Sequence, residues 1–224
     1  EVLFATDDGR PGACDPEMLR GVLFGAVKAR PEAATAYAEM TSTPQFRGPI
    51  RYADISPAAH AALVLPGGHA PGMRQYLESD VLQARSAAFL ASVKPVAAIC
   101  HGTIVLARAR DAEGAPVLRG RSMTCLPKSM EWSAWAATRL TRGSYFRTYP
   151  EWVQDEVARA VGGSVLTGSL LPSYGRPFTV RDGNLLTARW PGDAQGFADA
   201  LVSMLEEDPS GRAAPPQSAM PSQS

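Results

Sequence analysis

The sequence predicts a doubly wound α/β fold, a mostly parallel sheet sandwiched by helices, on three observations. Short, wholly apolar runs alternate with helical patterns, breaker-rich loops follow those runs, and the chain carries enough apolar material for one sizeable core. With 224 residues, 45% of them hydrophobic, one domain over 1–207 is expected, because two full domains would be cramped.

In chain order, residues 2–5 read as a strand and Thr6 to Gly12 as a loop. Asp15-Pro16-Glu17 then opens a helix through about residue 28, with Asp15 placed to cap it and Pro16 at its first position. A second strand is expected at 34–40, followed by a Pro/Gly-punctuated stretch, 41–52, that reads as a hairpin or a covering loop. Residues 61–65 read as a buried strand that stops at Pro66-Gly67-Gly68, and helical segments follow at 71–76 and 80–92. The run 96–99 is apolar throughout, as a central parallel strand covered on both faces should be. It leads directly into Cys100-His101-Gly102 and a helical pattern over 103–110. A strand at 122–126, helices at 129–140 and 150–160, a hairpin centred on Asp182-Gly183-Asn184 and a helix at 193–206 complete the alternation. From Asp208 the composition turns to Pro, Ser, Gln and Ala, which predicts a disordered tail over 208–224.

Composition narrows the function classes. Lys and Arg number 22, as do Asp and Glu, so no long-range field favours nucleic acid or an acidic membrane. Three cysteines, Cys14, Cys100 and Cys125, lack the spacing of a disulfide framework or a zinc site, and three scattered histidines add no metal pattern. Free thiols in a reducing compartment, the cytoplasm, are therefore expected, with neither metal nor cofactor. No apolar run is long enough to cross a bilayer, and the first residues lack the form of a signal peptide. A chain opening directly on a strand-like run also reads as missing its true start.

The segment Ile99-Cys100-His101-Gly102 has the form of a nucleophile elbow, where a side chain at a strand-to-helix junction stands clear of the sheet. The helix N-terminus would depress the thiol pKa, leaving Cys100 partly or mostly thiolate near neutral pH. The plainer reading is a small buried apolar residue. A second signal, Leu65-Pro66-Gly67-Gly68-His69, also lies at the carboxyl end of a buried strand, where ligands of open α/β sheets bind. If the two strands are neighbours, N–H groups of Gly68 or His69 and of His101 converge as an oxyanion hole, and Gly67 and Gly68 let the backbone approach. The alternative is a turn that needs glycine only for its dihedral angles.

Together, Pro66-Gly67-Gly68-His69 and Ala98-Ile99-Cys100-His101-Gly102 resemble the ThiJ/PfpI superfamily, relatives of the Parkinson-disease protein. Residues 180–187 and the helical pattern after Ala194 are similar to that family's closing hairpin and helix, so the resemblance covers about 2–205. It implies a flavodoxin-like, class I glutamine amidotransferase-like fold and a homodimer. It also implies an acid from the first loop facing the sulfur, with Asp15 the first choice and Glu17 the second; otherwise Asp15 is simply a helix cap. His101 is the implied partner of Cys100. In the glyoxalase III and holding-chaperone branch, an acid after a strand ending in proline orients that histidine, and Glu131 fits this placement; its alternative is a helix-start carboxylate. His69 reads as either pocket mouth or loop cap. Cys125 reads as a packed thiol, and Cys14 stands in the first loop. Trp132 and Tyr149, from a dense aromatic cluster, are candidates to wall an apolar substrate pocket, and residues 189–192 to border it.

The implied chemistry is attack by Cys100 on a small electrophilic carbon without a cofactor, as in glyoxalase III-type conversion of a 2-oxoaldehyde or deglycation. Hydration, hydrolysis or natural-product tailoring would use the same parts. The rival class is a redox sensor or holding chaperone working by Cys100 oxidation. A complete proton-transfer set of Cys100, His101 and Glu131 favours the enzyme.

Overall fold

A computed structural model describes residues 1–21, 29–169 and 176–207. Residues 22–28 and 208–224 lie outside this description, and with them the second half of the first predicted helix and the expected tail.

The first strand, β1, is Ala5–Thr6, and α1 covers Pro16–Arg20. As the sequence suggests, Asp15 caps α1 by accepting from the Glu17 N–H at 2.9 Å. The expected strand at 34–40 is instead a helix, α2, Pro31–Ser42. Its alternating Tyr and Ala positions imitate a strand, but the alanines favour helix, Pro31 stands at the start and Glu32 complements the first turn. A four-residue helix α3, Pro44–Arg47, leads to β2, Ile50–Arg51. Since β2 runs parallel to β1, with Ala5 opposite Ile50, 41–52 is not a hairpin.

The main ladders join β3 (Leu63–Leu65), β4 (Val96–Ile99), β5 (Thr179–Asp182) and β6 (Leu185–Ala188) in the order β3-β4-β6-β5. The first three of these neighbours are parallel, and β5 closes the edge as the antiparallel arm of the predicted hairpin. Asn184 fixes the turn by donating its side-chain amide to the carbonyls of Leu90 and Lys94. Because β6 pairs directly with β4, the expected strand at 122–126 has no place in the ladder. That stretch is extended and largely buried, held by the Thr124 N–H on Thr187 Oγ1 and by the Leu166 N–H on the Met123 carbonyl.

Helices α4 (Met73–Leu77), α5 (Asp80–Ala91), α6 (Thr103–Arg108), α7 (Lys128–Arg142), α8 (Val153–Val161) and α9 (Ala194–Glu207) complete the described elements. Side-chain alternation along the strands builds two cores. Val96, Ala98 and Leu185 join Leu65, Phe89, Ile104 and Leu106, while Ala97, Leu186 and Ala188 face Phe197 and Met204 of α9. Each large side chain withdrawn from water contributes about 1.5–3 kcal/mol, so this doubly covered sheet is a rigid base for its loop ends. Beyond β6, Arg189 and Asp193 form an ion pair of 2.9 Å with both side chains 2% exposed. Arg189 is thus an internal brace rather than a border of the sulfur site. Among the described residues, no helix is long and apolar enough to cross a membrane.

Candidate active site

Parallel pairing of β3 with β4 places Leu65 opposite Ala98, so the two motifs leave the sheet side by side. Ile99 is extended, whereas Cys100 has φ of +57° and begins a 3₁₀ turn, Cys100–Gly102, that runs into α6. A non-glycine residue in this region costs on the order of 1–3 kcal/mol and persists only where neighbours hold it. Here the Thr103 hydroxyl donates to the Cys100 carbonyl at 2.7 Å. Gly102 is required because an added Cβ would stand 2.3 Å from the Leu65 carbonyl oxygen.

The Cys100 sulfur lies 3.4 Å from His101 Nδ1, and the backbone N–H groups of His101 and Gly68 both hydrogen-bond to it. The Gly68 and His101 N–H groups thus meet at the sulfur. The expected thiolate is not present. Cys100 is 9% exposed, and burial pushes its thiol up to about 12, with the field of Glu131 adding to the rise and the two N–H groups opposing it. Desolvation outweighs a helix start that is only a short turn. His101, 2% exposed, is pushed down to about 3 by burial and then by nearby His69. The resting pair is a neutral thiol beside a neutral imidazole.

Glu131 does not orient His101. Its Oε2 accepts the Val153 N–H at 3.0 Å, capping α8, whose own cap residue Trp152 supplies no side-chain acceptor. His101 Nε2 is buried without a hydrogen-bond partner. Burial raises the Glu131 pKa, against the Val153 N–H and the Arg147 charge. Asp15 is also displaced from its expected role. One carboxylate oxygen caps α1 and the other accepts from the Tyr145 hydroxyl; its field reaches His69, whereas the acid acting on Cys100 is Glu131. Glu17 pairs with Arg142 at 2.8 Å.

His69 belongs to the site. Its ring centre is 6.3 Å from that of His101, it stacks on Phe146 at 4.3 Å, and Tyr145 meets it edge-on at 5.2 Å. Burial lowers its pKa against the field of Asp15, and Nε2 is buried without a hydrogen-bond partner. Tyr145 and Phe146 are the residues that sequence reasoning missed. Their place in the aromatic cluster was the available signal, but it pointed equally to core. Trp132 is 54% exposed on α7 and walls nothing. Tyr149 lines a neighbouring cleft whose lining does not include Cys100. Cys125 is a packed thiol raised by burial, and Cys14 is half-buried beside Asp15. Among the described residues, no group of three or more His, Cys, Asp or Glu is placed to hold a metal ion.

The site thus sets a thiol 3.4 Å from an imidazole nitrogen, with two backbone N–H groups directed at the sulfur. A family described as ThiJ/PfpI family-like matches residues 1–155. The chain is 30% identical over 162 residues to an uncharacterized protein of Archaeoglobus fulgidus, covering 72% of this chain and 71% of that one. It is 28% identical over 157 residues to a protein of Pyrococcus abyssi named a deglycase, covering 70% and 69%. The fold is similar to the crystal structure of glyoxalase III from Candida albicans, with a TM-score of 0.60 and 18% identity over 78% of this chain and 70% of that one.

Proposed function

The chain belongs to the ThiJ/PfpI family, and on that premise we propose that it is an enzyme in which Cys100 adds to a small electrophilic carbonyl, with a 2-oxoaldehyde or a glycated amine or thiol as substrate class. The observation that carries this reading is the strained Cys100 with His101 Nδ1 at 3.4 Å and the N–H groups of Gly68 and His101 on its sulfur. The similarity to the Pyrococcus abyssi protein named a deglycase supports it.

A thiol raised to about 12 does not ionise ahead of substrate. Proton transfer to His101 Nδ1 therefore accompanies formation of the S–C bond, as the carbonyl electron pair moves to oxygen, and because burial holds His101 near 3 the protonated imidazole is only transient. Charge leaves the sulfur for an oxygen that can take over the Gly68 and His101 N–H donors. Return of the proton from His101 gives a neutral hemithioacetal. For a 2-oxoaldehyde, moving the C1 proton to a base and a proton to the C2 oxygen gives an enediol, and its tautomer is a thioester. Water then cleaves the thioester, releasing the thiol and a 2-hydroxy acid, so the net reaction consumes one 2-oxoaldehyde and one water.

A redox sensor needs an accessible thiol of low pKa; the buried, raised Cys100 thiol weighs against that role, and His101 Nδ1 at 3.4 Å is what supports the enzyme. The test is incubation of purified protein with methylglyoxal, without added thiol or cofactor, followed by NMR. Appearance of lactate supports the 2-oxoaldehyde reading. Release of free amine together with lactate from a preformed methylglyoxal–amine adduct supports deglycation, and absence of lactate from both substrates contradicts the proposal.

A further inference from the structure

Near the sulfur site, α4, α7 and the segment that follows α7 border an open cleft of about 420 Å³. Trp135, Ser144, Tyr149 and Trp152 line it together with Arg74 and Arg147. The volume is that of a small-molecule site, typically about 300–1,000 Å³. The lining combines two indoles and a phenol with two arginines, so its exposed surface is mostly apolar.

Both arginines are anchored on backbone carbonyls, and one N–H-bearing nitrogen, Arg147 Nη1, is left without a partner. Arg147 lies over Trp152 with Cζ 3.3 Å from the ring centroid; Nη2 donates to the Pro150 carbonyl, and Nη1 is buried with no hydrogen-bond partner. Arg74 directs Nε and Nη2 to the Thr148 carbonyl at 3.1 and 2.7 Å, with Cζ 5.0 Å from the Tyr149 ring centre. The neighbouring carboxylates have other partners. Glu131 feels the Arg147 charge but caps Val153, Glu78 accepts from Tyr149, and Glu156 pairs with Arg108. Among the described residues, no carboxylate forms an ion pair with Arg74 or Arg147. A guanidinium held flat by an indole and left with a buried, unmatched N–H is suited to an oxyanion.

We propose that this cleft binds a planar aromatic anion, a ring bearing a carboxylate or a phosphate, with its oxygens on Arg147 and its ring against Trp135 and Tyr149. Benzoate and phenyl phosphate are the probes, benzamide is the neutral isostere of benzoate, and inorganic phosphate is the ring-free control. In calorimetric titrations of the full chain, at least one aromatic anion is expected to bind saturably and at least tenfold more tightly than both benzamide and inorganic phosphate. Whichever of benzoate and phenyl phosphate binds more tightly identifies the head group. Arg147→Met, which keeps the side-chain stem and loses the cation, should weaken that probe at least tenfold, and Cys100→Ala should leave it unchanged. The result is thereby independent of the chemistry assigned to the sulfur. Equal affinity for benzamide or for inorganic phosphate, or undiminished binding by Arg147→Met, overturns the proposal. If Arg147→Met does not fold, Trp135→Leu on the other wall takes its place: a fivefold or greater loss supports the site, and unchanged affinity overturns it.

Discussion

A Cβ built on Gly67 would stand 2.6 Å from the Cβ of Cys100 and 3.3 Å from its sulfur. The glycine of the β3 loop is therefore the floor on which the Cys100 side chain rests. The same Cβ would also stand 2.9 Å from the Ile99 carbonyl oxygen, a backbone atom of a central strand that cannot yield cheaply. Gly67→Ala should destabilise the protein by about 1–3 kcal/mol, as overpacking of a close contact does. It should also lower activity more than stability alone explains. A thermal melt beside a turnover assay checks both parts.

Glu131 gives a sharper distinction, because its carboxylate caps α8 rather than holding His101. Glu131→Ala removes the acceptor of a buried N–H and should cost about 1–3 kcal/mol. In protein that remains folded, kcat should change less than tenfold. A loss of several hundredfold in kcat at unchanged melting temperature would return Glu131 to the proton-transfer set.

The pair of neutral groups predicts a loss of stability at both ends of the pH scale. His101 is protonated near pH 6.5 in the unfolded chain and only near 3 in the folded one. Its contribution is complete above pH 6.5 and is lost as pH falls through that window. The Cys100 thiol ionises near 9 unfolded and about 12 folded, so its contribution is complete below pH 9 and is lost as pH rises above it. Denaturant melts across pH should show wild type losing stability from 6.5 downward. His101→Asn should show a shallower acid limb; His69, also lowered by burial, keeps a part of the slope in the variant.

Peroxide tests the rival role of the sulfur. A buried thiol raised to about 12 should be oxidised at pH 7 more slowly than free cysteine, as measured by peptide mass spectrometry. Rapid and selective conversion of Cys100 to a sulfinic acid would favour a sensor.

What the sequence made legible is the part of the site that depends on local pattern. The apolar runs ending at Pro66 and Cys100, the hairpin at Gly183 and the Asp15 cap on α1 are each set by residues a few positions apart, and each is present. What escaped depends on partners far along the chain. The Tyr145 hydroxyl reaches Asp15 across 130 residues, so no local pattern could say that this carboxylate faces a phenol rather than a thiol. Glu131 fitted a position but not a partner, since the vacant N–H of Val153 exists only once α7 and α8 pack together. The helix at Pro31–Ser42 was mistaken for a strand where alternation outweighed alanine content. The charge state of Cys100 was misjudged for a different reason. Its motif shows the donors, but the extent of burial belongs to the assembled core.

The most direct test of the central claim compares methylglyoxal turnover by wild type, Cys100→Ala and Cys125→Ala at matched folded concentration. Turnover that disappears in Cys100→Ala and persists in Cys125→Ala is the predicted result. Equal rates in wild type and Cys100→Ala would contradict the assignment of the sulfur at the elbow as nucleophile.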